Sequence, residues 1–260
     1  MSDTPARSII RHALRVRSPD ELVDFYCGTL GMQNYGTAKE PLLGFDKENC
    51  LLELHSTAIG PYTARPDDLY WKIGITLRDL DHAVEHLRER GCAVTQPRQF
   101  ADIGYMSHLS DPGGFVIELL QQGFEGRAAP AGSGHPVGGQ ATLAHITLRV
   151  NDIAAARADL ENRLGMRLIS VQPVPQHGFC LYFFCWSGEA PPTADLEAVA
   201  NREWLWARPY TLLELQHDYA GGVSTRTAAD TDAGFVGFGW REGQDAGLCY
   251  LRPSDMRHWL

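Results

Sequence analysis

Apolar and polar positions change their period several times along the chain, and each change marks an element. In ITLRDLDHAVEHLRERGCAV (75–94) an alternating strand-like run gives way to a helical one. There Ala83, Val84 and Leu87 share a face by i, i+3, i+4 spacing, and a Gly stop leads into another strand. YMSHLSDPGGFVIELLQ (105–121) is two strand-like runs around Asp-Pro-Gly-Gly, a hairpin signal. The repeating unit is thus a strand, a helix and about three further strands. Three units are legible, at about 8–58, 69–122 and 141–219, and a fourth starts near 233 with too little chain left for its helix. GRAAPAGSGHPVGGQ (126–140), rich in Gly, Pro and Ala and without apolar periodicity, reads as a linker. The chain on either side is a duplicate: LRV at 14–16 returns at 148–150 and LGM at 30–32 returns at 164–166, both at an offset of 134.

Composition narrows the partners. Against 32 Asp+Glu stand 23 Lys+Arg, a formal charge of -9, which disfavours nucleic acid or an anionic membrane surface and leaves a small molecule as the expected partner. No run approaches the roughly 20 apolar residues that span a bilayer, and the N-terminus carries no cationic-then-apolar leader, so a cytoplasmic location is expected. Six scattered cysteines without a CxxC pair read as reduced thiols. No phosphate-binding loop or nucleophile elbow is present, and the helical pair His82 and His86 reads as a solvated face.

With HITLRV opening one copy, FYCGTLGM closing the helix of another and SDPGGFVIELL ending a third, the βαβββ unit resembles the vicinal oxygen chelate superfamily, which includes glyoxalase I, extradiol dioxygenases and bleomycin resistance proteins. Residues 141–240, with the long segment between CLYFFCW and YTLLELQHDY, are most similar to glyoxalase I of the larger type. The resemblance implies an α+β fold of tandem βαβββ units in two glyoxalase-like domains, 8–125 and 141–260, the second truncated in its last unit.

It also implies two ligand positions per unit, one five residues before the end of the first strand's LRV-like motif and one in the last strand. In the third unit these are His145 and Glu214; in the second, Lys72 and Glu118. In the first the count gives Arg11 and Glu53, an expected ion pair, while alternation turns His12 to the other face. His55 shares the face of Glu53. The fourth unit offers Phe235 or Gly237 and no final Glu, so the outer pair of units is expected to be inactive.

His145, Glu214 and Glu118 are therefore the expected ligands of a divalent ion, with Zn, Ni, Mn, Co or Fe(II) all compatible. The resemblance gives Glu118 and Glu214 the role of catalytic bases; Lys72 departs from it, standing where the pattern has His or Gln, and is read as an electrophile or, as a neutral amine, a fourth ligand. Arg149 stands where the family contacts glutathione, the candidate cosubstrate, and Asp218 where it has an Asn. The expected activity is a glyoxalase I-type lyase or isomerase acting on an α-oxo or hemithioacetal substrate by proton abstraction and enediolate stabilisation. Two alternatives stay open: an Fe(II) extradiol dioxygenase, and a protein that sequesters a drug or metabolite among Trp186, Trp204, Trp206 and Tyr210. A homodimer is compatible with the missing fourth helix. A charge-paired sheet without metal is the plainest reading of the buried charges.

Overall fold

The computed structural model describes residues 7–124, 135–222, 226–229, 231–242 and 247–260. Strand follows helix as the periodicity predicts. The first unit holds β1 (Ile9–Val16), α1 (Pro19–Val23, continued as a wider helical turn to Thr29), β2 (Gln33–Asn34), β3 (Leu42–Gly44) and β4 (Leu51–Ser56). The second holds β5 (Tyr70–Leu77), α2 (Leu80–Glu89), β6 (Arg98–Phe100), β7 (Gly104–Ser110) and β8 (Val116–Gln121). In the third are β9 (Thr142–Val150), α3 (Ile153–Ala158, also continued), β10 (Arg167–Val174), β11 (Phe179–Cys185), α4 (Arg202–Trp206) and β12 (Leu212–Asp218). Two strands of the fourth follow, β13 (Gly234–Arg241) and β14 (Leu248–Leu251), and the described chain ends in a 3-10 segment. Of the expected linker, residues 126–134 lie outside the described residues.

Local chemistry fixes the elements. Asp79 caps α2 by accepting from the His82 N–H, and the helix buries Leu80, Ala83, Val84 and Leu87, the face read from the sequence. The Asp-Pro-Gly-Gly turn joins β7 to β8 as an antiparallel pair, with Asp111 Oδ1 accepting from the Phe115 N–H.

The strands form two sheets. One has six strands in the order β14-β13-β1-β4-β3-β2, the other eight in the order β10-β11-β12-β9-β5-β8-β7-β6. The outer units thus share one sheet and the inner units the other, and each sheet takes strands from both sides of residues 126–140. At the centre of the larger sheet, β5 and β9 run antiparallel, while β5–β8 and β9–β12 are parallel pairs. The main apolar core bridges both sheets; Tyr70 of β5, for example, stacks on Phe235 of β13 at 5.0 Å. A second apolar cluster, with Ile103, Met106, Leu181, Phe183 and Trp206, lies apart from it.

Candidate metal centre

Four adjacent strands, β12, β9, β5 and β8, each deliver one ionisable side chain to the same place: Glu214, His145, Lys72 and Glu118. The parallel pairs relate Lys72 to His145 and Glu118 to Glu214, as expected of two copies of one unit facing each other across β5 and β9. The pairing sets Glu118 opposite Gly74 and Gly74 opposite His145, so these residues fall in one row across the sheet. Register shifts interrupt the β5–β9 pairing between Tyr70 and Lys72 and again between Gly74 and Ile75. Such bulges twist a sheet and re-aim side chains near functional sites.

Gly74 supplies the rest of the room. It lies directly opposite His145, and a Cβ built on it would stand 1.9 Å from His145 Nε2. Only a residue without a side chain lets the imidazole cross β5 toward β8. The signal was visible as a Gly inside the strand run YWKIGITL, but sequence reasoning passed over it.

His145 Nε2 then lies 3.1 Å from Glu118 Oε1 and 3.3 Å from Glu214 Oε2, and all three residues are buried. Lys72 Nζ donates to Glu118 Oε2 in a short contact and stands 3.8 Å from Glu214 Oε1. From β7, His108 adds Nε2 at 3.1 Å from Glu118 Oε2, a contact that the sequence alone does not indicate. Burial pushes the Glu118 carboxyl up, yet the Lys72 charge and the bonds from His108 and His145 outweigh it and hold Glu118 well below the usual carboxylate range.

Would a divalent ion fit this set? Glu118, His145 and Glu214 each offer a ligand atom, and the three atoms lie within 4.8 Å of one another, the one such group of three or more among the described residues. Glu214 Oε1 has no hydrogen-bond partner although it is buried, so a lone pair at the centre is unused. Two buried carboxylates share one ammonium and the imidazoles of His108 and His145. One nitrogen and two oxygens with open positions suit a catalytic divalent ion, so Glu118, His145 and Glu214 fit. His145 Nδ1 lacks the partner that would usually orient a metal-bound imidazole; the ring instead packs against Phe183 and Trp206, at 6.3 and 6.2 Å.

The centre forms the floor of a cavity of about 540 Å³ to which Lys72, His108, Glu118 and Glu214 all contribute. Its walls are mainly apolar: Phe100, Ile103 and Met106 on one side, Phe179, Leu181 and Phe183 on the other, with Trp206 between. The long insertion before β12 closes this cup. From α4, Trp206 donates through its indole to the Ile103 carbonyl at 2.9 Å, and buried Arg202 reaches the Asp102 carbonyl at 3.3 Å. Of the four aromatic residues expected in a stacking pocket, Trp206 alone lines this cavity. Trp186 packs on Trp240, Trp204 lies under Arg208, and Tyr210 donates to Glu189; their apolar faces are spent on the fold.

The two expected substrate contacts do not line the cavity. Arg149 donates to Gln216 Oε1 and the Arg65 carbonyl and lies 4.7 Å from the Trp71 ring; Asp218 pairs with Phe179 at the end of β12 and accepts from the Ala220 N–H. In the outer units, Arg11 pairs with Glu53 at 3.8 Å, and His55 and Tyr250 bond the same carboxylate. His12 is fully buried on the other face, against the Tyr70 and Phe235 rings. β13 lies in the other sheet, so the fourth unit brings no ligand to His145, as the extradiol alternative would need.

The comparisons agree with this architecture. Residues 8–119 match the model of the Glyoxalase/Bleomycin resistance protein/Dioxygenase superfamily. Glyoxalase I from Zea mays superposes with a TM-score of 0.64 at 20% identity, over 90% of this chain and 74% of that one. A putative dioxygenase from Bacillus subtilis gives 0.55 at 15% identity, over 92% and 71%. At these identities the likeness is one of fold. A comparison with curated proteins finds no match.

Proposed function

We propose, from the premise that residues 8–119 belong to the Glyoxalase/Bleomycin resistance protein/Dioxygenase superfamily and the chain has that fold, that this protein is a metal-dependent lyase or isomerase of glyoxalase I type. Its substrate is an α-oxo compound or hemithioacetal, and the reaction begins with proton abstraction. The observation that carries the reading is the convergence of Glu118, His145 and Glu214 at the floor of a walled cavity. A divalent ion held by these three residues would supply Lewis acidity toward two adjacent substrate oxygens, acidifying the C–H between them.

The protein's own groups do the rest. Glu118 and Glu214 approach from opposite sides of His145, so a carbon placed above the floor has a carboxylate on either flank, one to take a proton and one to return it. The low affinity of Glu118 for protons keeps it in the ionised form a base requires. The apolar walls exclude water from the developing enediolate. The same walls favour a substrate with an apolar substituent. Glutathione as cosubstrate would have to be held by rim groups such as Gln96, Arg98 and His177, since Arg149 and Asp218 lie outside the cavity.

Protein loaded with Ni or Zn should convert the methylglyoxal hemithioacetal, or exchange the α-proton of a related substrate with D₂O, as followed by NMR. Metal-loaded protein that exchanges no α-proton in a panel of α-oxo and α-hydroxy ketones would rule the reading out. One observation favours a second reading: Lys72 already pairs with both carboxylates, so a metal-free cleft that sequesters an apolar metabolite is also built. Ligand binding that is indifferent to chelators, without exchange, would select it.

A further inference from the structure

We propose that Lys72 is a resident counter-cation of the centre, which a divalent ion must displace in order to bind. The proposal rests on the reading of Glu118, His145 and Glu214 as metal donors and concerns how access to them is controlled.

Lys72 stands at the position that corresponds, in the second unit, to His145 in the third. Its Nζ contacts Glu118 Oε2 and lies 3.8 Å from Glu214 Oε1, so the ammonium engages both carboxylates that would hold a metal. Glu214 Oε1, with no hydrogen bond of its own, is within reach of either cation. The side chain is only 3% exposed, and the Trp71 ring lies 4.5 Å from Nζ. A desolvated ammonium in such a place is held by its anions and by little else.

Residue choice points the same way. The chain has three lysines among its 23 basic residues, and Lys39 and Lys47 are exposed, so the one buried lysine is this one. An ammonium is a compact point charge that fits between two carboxylates, whereas a guanidinium fork would demand a planar bidentate partner. His145 Nε2 meanwhile touches both carboxylates, so the donors stay gathered without a metal.

The ammonium and a divalent ion cannot share the centre comfortably. They would compete for the same carboxylate oxygens and repel each other across a few ångströms of low-dielectric space. Lys72 lines the 540 Å³ cavity, and that space lets its side chain swing away from the carboxylates when a metal arrives. Metal binding is therefore weakened by the loss of an existing ion pair, and the metal-free centre is kept assembled rather than left as two bare buried carboxylates. The expected consequence is a readily exchanged ion.

The test uses Zn(II) titrated against a competing chelator dye on the full chain, its Lys72→Met and Lys72→Gln variants, and a His145→Ala control. Both Lys72 variants should bind Zn(II) at least tenfold more tightly than the unaltered protein, about 1.4 kcal/mol. A second readout needs no Lys72 variant. Protein labelled with ¹³C at lysine Cε gives three resonances, assigned by Lys39→Arg and Lys47→Arg, and Zn(II) should move that of Lys72 alone. Equal or weaker affinity in both variants, with His145-dependent binding in the unaltered protein, would overturn the proposal and leave the metal reading standing. A Lys72 resonance unmoved at saturating Zn(II) would do the same. If no protein binds Zn(II) through His145, both fall.

Discussion

His12 offers a quantitative test, because it is the histidine that the count along β1 excludes from the ligand position. It is fully buried, neither ring nitrogen has a hydrogen-bond partner, and burial alone lowers its pKa from 6.5 to about 3. The fold therefore holds the neutral imidazole, while the unfolded chain takes up a proton near pH 6.5. Stability from this residue is fully present above pH 6.5 and is lost as pH falls from there toward 3. At roughly 1.4 kcal/mol per pH unit, the loss is about 2 kcal/mol at pH 5 and about 4 kcal/mol by pH 3. His12→Leu, similar in volume and without nitrogens, removes this term and two unsatisfied polar atoms together. Urea unfolding at pH 7 and pH 5 reads it out. The drop in unfolding free energy between the two pH values should be smaller in the variant by about 2 kcal/mol, with equal or higher stability at pH 7. Since the other histidines are common to both proteins, the same drop in each would refute a neutral, unpartnered His12.

Two further substitutions probe the centre. Gly74→Ala puts a methyl group where His145 Nε2 now lies, so the imidazole must rotate out; about 1–3 kcal/mol of stability and at least tenfold in metal affinity should be lost, read by thermal melting and chelator competition. Glu214→Gln keeps the shape and removes a base, and α-proton exchange should slow by roughly 10²–10⁴ with the fold intact by circular dichroism. Retention of full exchange would remove Glu214 from the chemistry.

The repeat, the α2 face and the β7–β8 hairpin were legible because each is a local pattern of period or turn chemistry. The positions that the resemblance implies, His145, Glu214, Glu118 and Lys72, are four residues that the structure brings into one cluster, and strand alternation adds only which face each side chain takes. What escaped the sequence depends on how distant elements meet. Phe100 and Phe183 become cavity walls because α4 fastens to the β6–β7 turn through Trp206 and Arg202, a contact across about a hundred residues of chain. His108 joins Glu118 across the β7–β8 pair, opposite a residue whose own role came from another strand. Arg149 was placed by resemblance, and the Trp71 ring and Gln216 take up its guanidinium instead.

The central claim is that Glu118, His145 and Glu214 hold a divalent ion. Equilibrium dialysis against Ni(II) or Zn(II), followed by elemental analysis of the unaltered protein and His145→Ala side by side, tests it most directly. About one ion per chain in the first and a near-complete loss in the second are expected. Equal metal in both, or none in either, would contradict it.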